Sequence, residues 1–182
     1  MVYKFDISTT EDDYFQFNLF HQIKTKYGRQ SWVMFRMIPL FVFLIFAVIG
    51  YFDFGLTAGY FVDLFLIAVV LGVFELLTPE LHKIILKSHI KNIKKTGKLT
   101  FSETSVMEFC DDKFSETAKD RYAEHTYDAI ERVYVNGTQY IYIYVNAQMA
   151  YVIPSKSFES YAQRGEFLYF LRTKGLNVEF IK

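Results

Sequence analysis

Asp63 and Glu75 are the chemically unusual residues of this chain, because each carboxylate sits in a stretch otherwise dominated by Leu, Ile, Val, Phe and Ala. The 11 residues between them give a helical rise well short of ~30 Å of hydrocarbon, so they cannot rest in opposite headgroup layers. A carboxylate at the centre of a bilayer costs roughly 2.5–3.5 kcal/mol on insertion scales. Such an acid needs a partner, a proton or a function. Proton or ion passage is the chemistry two acids on one path would support; neutralisation by a nearby cation is the structural reading. In a hairpin turning near Phe54-Gly55, position i faces about 109 − i. Glu75 then lies opposite Met34, within a turn of Arg36, so Arg36–Glu75 is the expected intramembrane pair. Asp63 faces Phe46 and is the intramembrane acid without a counter-ion.

No other constellation supports catalysis. His21, His82, His89 and His125 lack metal-ligand spacing, and the chain has no phosphate-binding Gly loop, nucleophile elbow or H-E-x-x-H. Cys110 is the single cysteine and forms no internal disulfide, as suits a cytoplasmic domain; it reads as a small structural residue. We therefore expect no enzyme activity, catalytic residue, cofactor or metal. Tyr140, Tyr142 and Tyr144 share one strand face, an arrangement that stacks nucleobases where cations surround it. Residues 99–182 carry 9 basic groups against 12 acidic ones, which argues against nucleic acid. Packing of these rings on the domain core or its terminal helix is expected instead.

Lys83, Lys87, Lys91 and Lys94, with Lys95 beside them, recur at helical spacing opposite Leu81, Ile85 and Ile93. Such a face enforces topology, and it attracts anionic lipid at on the order of 1 kcal/mol per lysine near the surface.

These groups are positioned by a recognisable order of elements. Val2 to Ser8 alternates as a strand within residues 1–9. Thr10 offers an N-cap, and Glu11, Asp12 and Asp13 fill the first turn of a helix running to about Tyr27, within an amphipathic segment 10–32 that leads to the membrane and shows Tyr14, Phe17, Phe20 and Ile23 or Tyr27 on one side. Residues 33–78 form a transmembrane hairpin with spans at 33–52 and 56–77, each near the ~20 residues a bilayer requires. A basic juxtamembrane helix occupies 79–97. Residues 98–182 read as period-two strands (LTFSE, SVMEF, a polar run FSETAKDRYAEHTY, RVYVN, QYIYIYV and AYVIP) followed by a helix from Ser160 to Lys174 that Gly175 ends. Turns are expected at Asp111-Asp112, Asn136-Gly137 and Asn146-Ala147-Gln148. Lys24, Lys26, Arg29 and Arg36 precede the hairpin and six lysines between Lys83 and Lys98 follow it, while its turn carries only Asp53. Basic flanks are retained inside, so both termini are expected in the cytoplasm.

The order also resembles a family. The signals are Thr10-Glu11-Asp12-Asp13-Tyr14-Phe15-Gln16-Phe17-Asn18, Tyr127-Asp128-Ala129-Ile130-Glu131-Arg132-Val133, Tyr140-Ile141-Tyr142-Ile143-Tyr144 and Ile153-Pro154-Ser155-Lys156-Ser157-Phe158. Over nearly its full length the chain resembles the YcxB-like family of bacterial membrane proteins, which often have Trp where this chain has Tyr127. The resemblance implies a pleckstrin-homology-like cytoplasmic domain, a half-open sheet plugged by a C-terminal helix, with the membrane hairpin inserted after its first strand. It carries no catalytic residues.

The expected fold class is thus an α+β membrane protein, a two-helix transmembrane hairpin inserted into a small antiparallel β domain. The expected function is a non-enzymatic, multi-pass protein of the cytoplasmic membrane whose soluble domain binds a protein or anionic lipid in a regulatory or scaffold role. The alternative is an oligomeric ion or small-solute transporter using Asp63 and Glu75; two spans cannot enclose a pathway alone, so it requires a homo-oligomer.

Overall fold

The computed structural model describes residues 3–96, 102–147 and 149–181. In chain order its elements are β1 (Tyr3–Ser8), α1 (Glu11–Lys24), α2 (Lys26–Arg36), α3 (Ile38–Phe54), α4 (Ala58–Lys95), β2 (Thr104–Phe109), β3 (Lys113–Ala118), β4 (Arg121–Thr126), β5 (Arg132–Asn136), β6 (Tyr140–Tyr144), β7 (Ala150–Pro154), α5 (Tyr161–Thr173) and β8 (Val178–Ile181). Single 3-10 turns lie at Tyr127–Ala129 and Ser155–Ser157. The chain is α+β and divides into two compact units, one of Met1–Asn18 with Ile93–Lys182 and one of Leu19–Asn92.

The first unit holds two four-stranded sheets, ordered β1-β2-β3-β4 and β7-β6-β5-β8. β1 pairs antiparallel with β2, Phe5 opposite Met107, although α1 to α4 lie between them in the chain. Its burial alternates strictly, and Tyr3, Phe5 and Ile7 enter the core with Met107, Phe109, Phe114, Val133, Val135, Ile141, Ile143 and Ile153. α5 adds Phe167, Leu168 and Leu171 to that core. Phe5 meets the rings of Phe158 and Phe167 edge-on at 4.8 and 4.9 Å, an arrangement the aromatic quadrupole favours. Ser160 caps α5 by accepting from the Gln163 amide at 3.1 Å. The Asn136-Gly137 signal marks the β5–β6 turn, where Gly137 takes φ +52°, a left-handed conformation that favours glycine.

Several expectations need adjustment. The polar run 114–127 is largely two strands, β3 and β4, turning at Lys119-Asp120. β8 had no sequence signal; it pairs parallel to β5, Val133 opposite Val178. In the expected 99–103 strand, Leu99, Thr100 and Phe101 lie outside the described residues, and Ser102 and Glu103 are not in a strand. Val2, Lys98 and Gln148 also lie outside them.

The second unit is helical. The expected helix to Tyr27 instead ends at Lys24, where Thr25 caps α2 by accepting from the Gly28 amide at 3.1 Å. Gly28 is needed there, because a Cβ would stand 2.1 Å from the His21 carbonyl oxygen. The first expected span straddles a joint at Met37, between α2 and α3, beside Pro39, whose missing N–H interrupts the ladder. Lys26–Phe54 and Ala58–Lys95 are both long and apolar enough to cross a membrane, and 0% and 6% of their apolar windows are buried. The expected separate helix at 79–97 is instead the end of α4, which runs through Pro79. The neighbouring Thr78 hydroxyl donates to the Phe74 carbonyl at 2.8 Å, one of the local bonds that tolerate proline in such a helix.

Candidate functional site

Within the helical unit, Arg36 Nε donates to Glu75 Oε1, joining α2 to α4. Both side chains keep partial exposure, at 44% and 31%. Glu75 Oε2 is shielded and has no hydrogen-bond donor among the described residues. Nearer the turn, the Tyr60 hydroxyl donates to the Ala47 carbonyl at 2.9 Å, and a Cβ on Gly50 would meet the Tyr60 ring at 3.2 Å. Gly50 therefore lets α3 and α4 approach closely. Asp63 is exposed and lines a cleft with Phe46, Gly50, Asp53 and Tyr60. The structure thus joins Glu75 to a cation and leaves Asp63 apart from it.

Of the lysines on α4, Lys83 meets Glu80 at 2.7 Å, while Lys87 and Lys91 are exposed. In the β-containing unit, Lys94 is held by Glu11 at 2.9 Å and Glu103 at 3.3 Å, and Lys95 is exposed. Lys94 therefore ties the start of α1 to the segment before β2. His82, beside Lys83, places Nε2 2.6 Å from Gln22 Oε1 and its ring 4.8 Å from the Trp32 ring.

The most elaborate polar site lay hidden in the acidic run. Asp13, 6% exposed, accepts at Oδ2 from the Thr10 amide and hydroxyl (both 2.9 Å) and from Lys156 Nζ (2.8 Å), and at Oδ1 from the Tyr140 hydroxyl (2.9 Å). Thr10 Oγ1 in turn accepts from the Asp13 amide at 3.1 Å, closing a capping box. Burial pushes the Asp13 carboxyl up, but the bonds from Lys156, Thr10 and Tyr140 outweigh it and hold the group below the usual carboxylate range. Burial, then the Asp13 carboxylate, raises the Tyr140 phenol. Tyr142 and Tyr144 stand 5.6 and 6.1 Å from the Phe17 ring. The tyrosine face of β6 thus packs on α1 rather than on the domain core or α5, because Ile141 and Ile143 already fill the core side. T-x-x-D was the available sequence signal, but it announces only the cap; nothing local announces Lys156 or Tyr140.

A smaller cleft between the sheets is lined by Ile7, Met107, Glu116, Arg121, Tyr151 and Val152 among others. Glu116 points inward, 6% exposed, and Arg121 Nη2 donates to it at 2.8 Å. Tyr151 and His125 Nε2 are hydrogen-bonded at 2.8 Å. Among the described residues no three His, Cys, Asp or Glu side chains gather as a metal site would require. Cys110 is half-buried in the β2–β3 turn, where its amide donates to the Lys113 carbonyl at 2.8 Å.

Compared with known protein families, characterised proteins and solved structures, the chain matches none.

Proposed function

We propose that this protein is a non-enzymatic, two-span membrane protein that holds a β domain at the cytoplasmic face, where the domain binds a protein or lipid partner. The observation that carries the reading is the exposure of the long apolar helices. A soluble protein buries its core helices, whereas here Leu76, Phe52, Val70 and Phe65 are 66–80% exposed. A cleavable leader is a poor alternative, because β1 precedes these helices and its Phe5 and Ile7 are 2% and 4% exposed in the domain core. The β1–β2 pairing supports a hairpin inserted after the first strand of the β domain. Two sheets with α5 in their core are what a pleckstrin-homology-like, YcxB-like bacterial protein would need, with β8 as an addition. The basic flanks favour cytoplasmic termini in the cell membrane.

Impermeant thiol labelling tests topology. Gly55 and Gly137 hold positive φ and tolerate cysteine badly, so exposed Leu56 and Lys119 are the better sites, in a Cys110→Ser background. In intact cells Leu56→Cys should be labelled and Lys119→Cys protected until the membrane is permeabilised. Labelling of Lys119→Cys in intact cells would overturn the orientation.

A further inference from the structure

We propose that the base of the helical hairpin is a selective surface for anionic phospholipid, with Lys83, Lys87 and Lys91 as headgroup contacts and Trp32 marking its depth. The inference rests on the membrane reading above. All of these residues belong to the helical unit. The three lysines recur every four residues on α4, so they project from one side of the helix. Between Pro79 and Asn92 the only acid is Glu80, which meets Lys83, and between Leu19 and Phe35 there is none against Lys24, Lys26 and Arg29. His82 fastens these two basic segments together through Gln22 and Trp32.

The neighbouring surface selects the occupant. Val33, Met34, Leu76, Leu77 and Ile84 flank the cations and are 51–80% exposed. A soluble acidic partner would match the lysines and leave that apolar belt uncovered. A phospholipid matches both, with acyl chains on the belt and its phosphate among the ammonium groups, which reach it by extending their aliphatic stems. Tryptophan prefers the boundary between those two layers.

Trp32 is the only tryptophan and so reports on its own lipid neighbours. The full chain would be reconstituted in phosphatidylcholine vesicles containing either brominated phosphatidylcholine or brominated phosphatidylglycerol, and Trp32 quenching compared at equal mole fractions. We expect phosphatidylglycerol to be favoured several-fold at Trp32. The preference should fall to about one in Lys83→Gln/Lys87→Gln/Lys91→Gln and persist in the corresponding triple Arg variant, which keeps the charge. Equal quenching by both lipids in the wild type, or a preference unchanged in the Gln variant, would overturn the lipid site while leaving the membrane reading intact. No quenching by either lipid would overturn both.

Discussion

The hydroxyl of Tyr140 and the carboxylate of Asp13, 127 residues apart in sequence, meet at 2.9 Å inside the β-containing unit. Lys156 closes on the same carboxylate at 2.8 Å, so one buried acid joins the start of α1, the start of β6 and the turn after β7. The first two turns of α1 are thereby part of the β domain rather than a tether to it.

Replacing Asp13 should therefore destabilise that domain. Asp13→Ala leaves the Tyr140 hydroxyl buried without an acceptor, whereas Lys156, half-exposed, can return to water. A loss of about 2–3 kcal/mol is expected, measured by denaturant unfolding in detergent. The folded Asp13 carboxyl titrates below its unfolded value, so its ionised form adds stability above about pH 4 and loses that contribution as pH falls through the lowered value. The stability difference between wild type and Asp13→Asn should accordingly shrink in acid. A difference that grows below pH 4 would contradict the hub.

Phe5 supplies the test of β1. It is 2% exposed and touches the rings of Phe109, Phe158 and Phe167. Phe5→Ala should cost about 3–5 kcal/mol, while exposed Lys4→Ala should cost under about 0.5 kcal/mol despite its ion pair with Glu108. Melting of the two variants at the same temperature would show that β1 does not complete the domain.

The fold was legible wherever neighbours in sequence decide it. Period-two alternation of residue types gave β1, β2 and β5 to β7, although β6 proves buried on both faces; Asn136-Gly137 gave a hairpin turn, and Ser160 gave the cap of α5. Contacts made across the chain were not. β8 is four residues long and is stabilised by parallel pairing to a distant strand, so Val178–Ile181 had no periodicity to show. Pro79 and the basic residues beyond it read as a fresh helix, because proline normally ends one; the chain instead continues through it. Asp13 read as a charge favourable to the α1 dipole, which concealed its long-range partners. At the candidate site, hairpin geometry anticipated how Arg36 and Glu75 approach, with positions summing to 111 against the ~109 of an idealised turn. The tie through Gln22, Trp32 and His82 depends on the corner at Thr25, and no periodicity encodes it.

That corner gives the third prediction. A methyl at Gly28 would sit 2.1 Å from the His21 carbonyl oxygen and 2.6 Å from the Gln22 Cα, both rigid backbone. Gly28→Ala must therefore open the α1–α2 corner, at about 1–3 kcal/mol or more. Exposed Gly72, with nothing near its missing Cβ, should accept alanine with stability unchanged or slightly improved. The two variants share one substitution, so thermal stability in detergent isolates the corner. Equal stability would show that α1 and α2 do not meet this closely.

Under the proposed membrane reading, the carboxylates of Asp63 and Glu75 separate an anchor from a transporter. Arg36 bonds to only one Glu75 oxygen, and the other is shielded without a donor among the described residues, so Glu75 is held by the cation at one oxygen alone. Arg36→Leu or Glu75→Leu alone strands the opposite charge at the edge of an apolar helix, and either should lower stability and yield. The double Leu variant removes both charges and should recover most of that loss, with a coupling energy of about 0.5–3 kcal/mol in the mutant cycle. Asp63 is exposed and outside the pair, so Asp63→Asn should leave assembly unchanged. Transport demands the reverse pattern. Asp63→Asn and Glu75→Gln would each fold normally and abolish a proton or cation flux that the wild type sustains in vesicles. Since two spans enclose no path, that flux would also have to scale with oligomer formation. Flux lost in both folded variants would replace the anchored module with an oligomeric transporter, whereas a rescued double variant in a flux-free wild type would leave Glu75 as the counter-ion that lets Arg36 sit at the membrane.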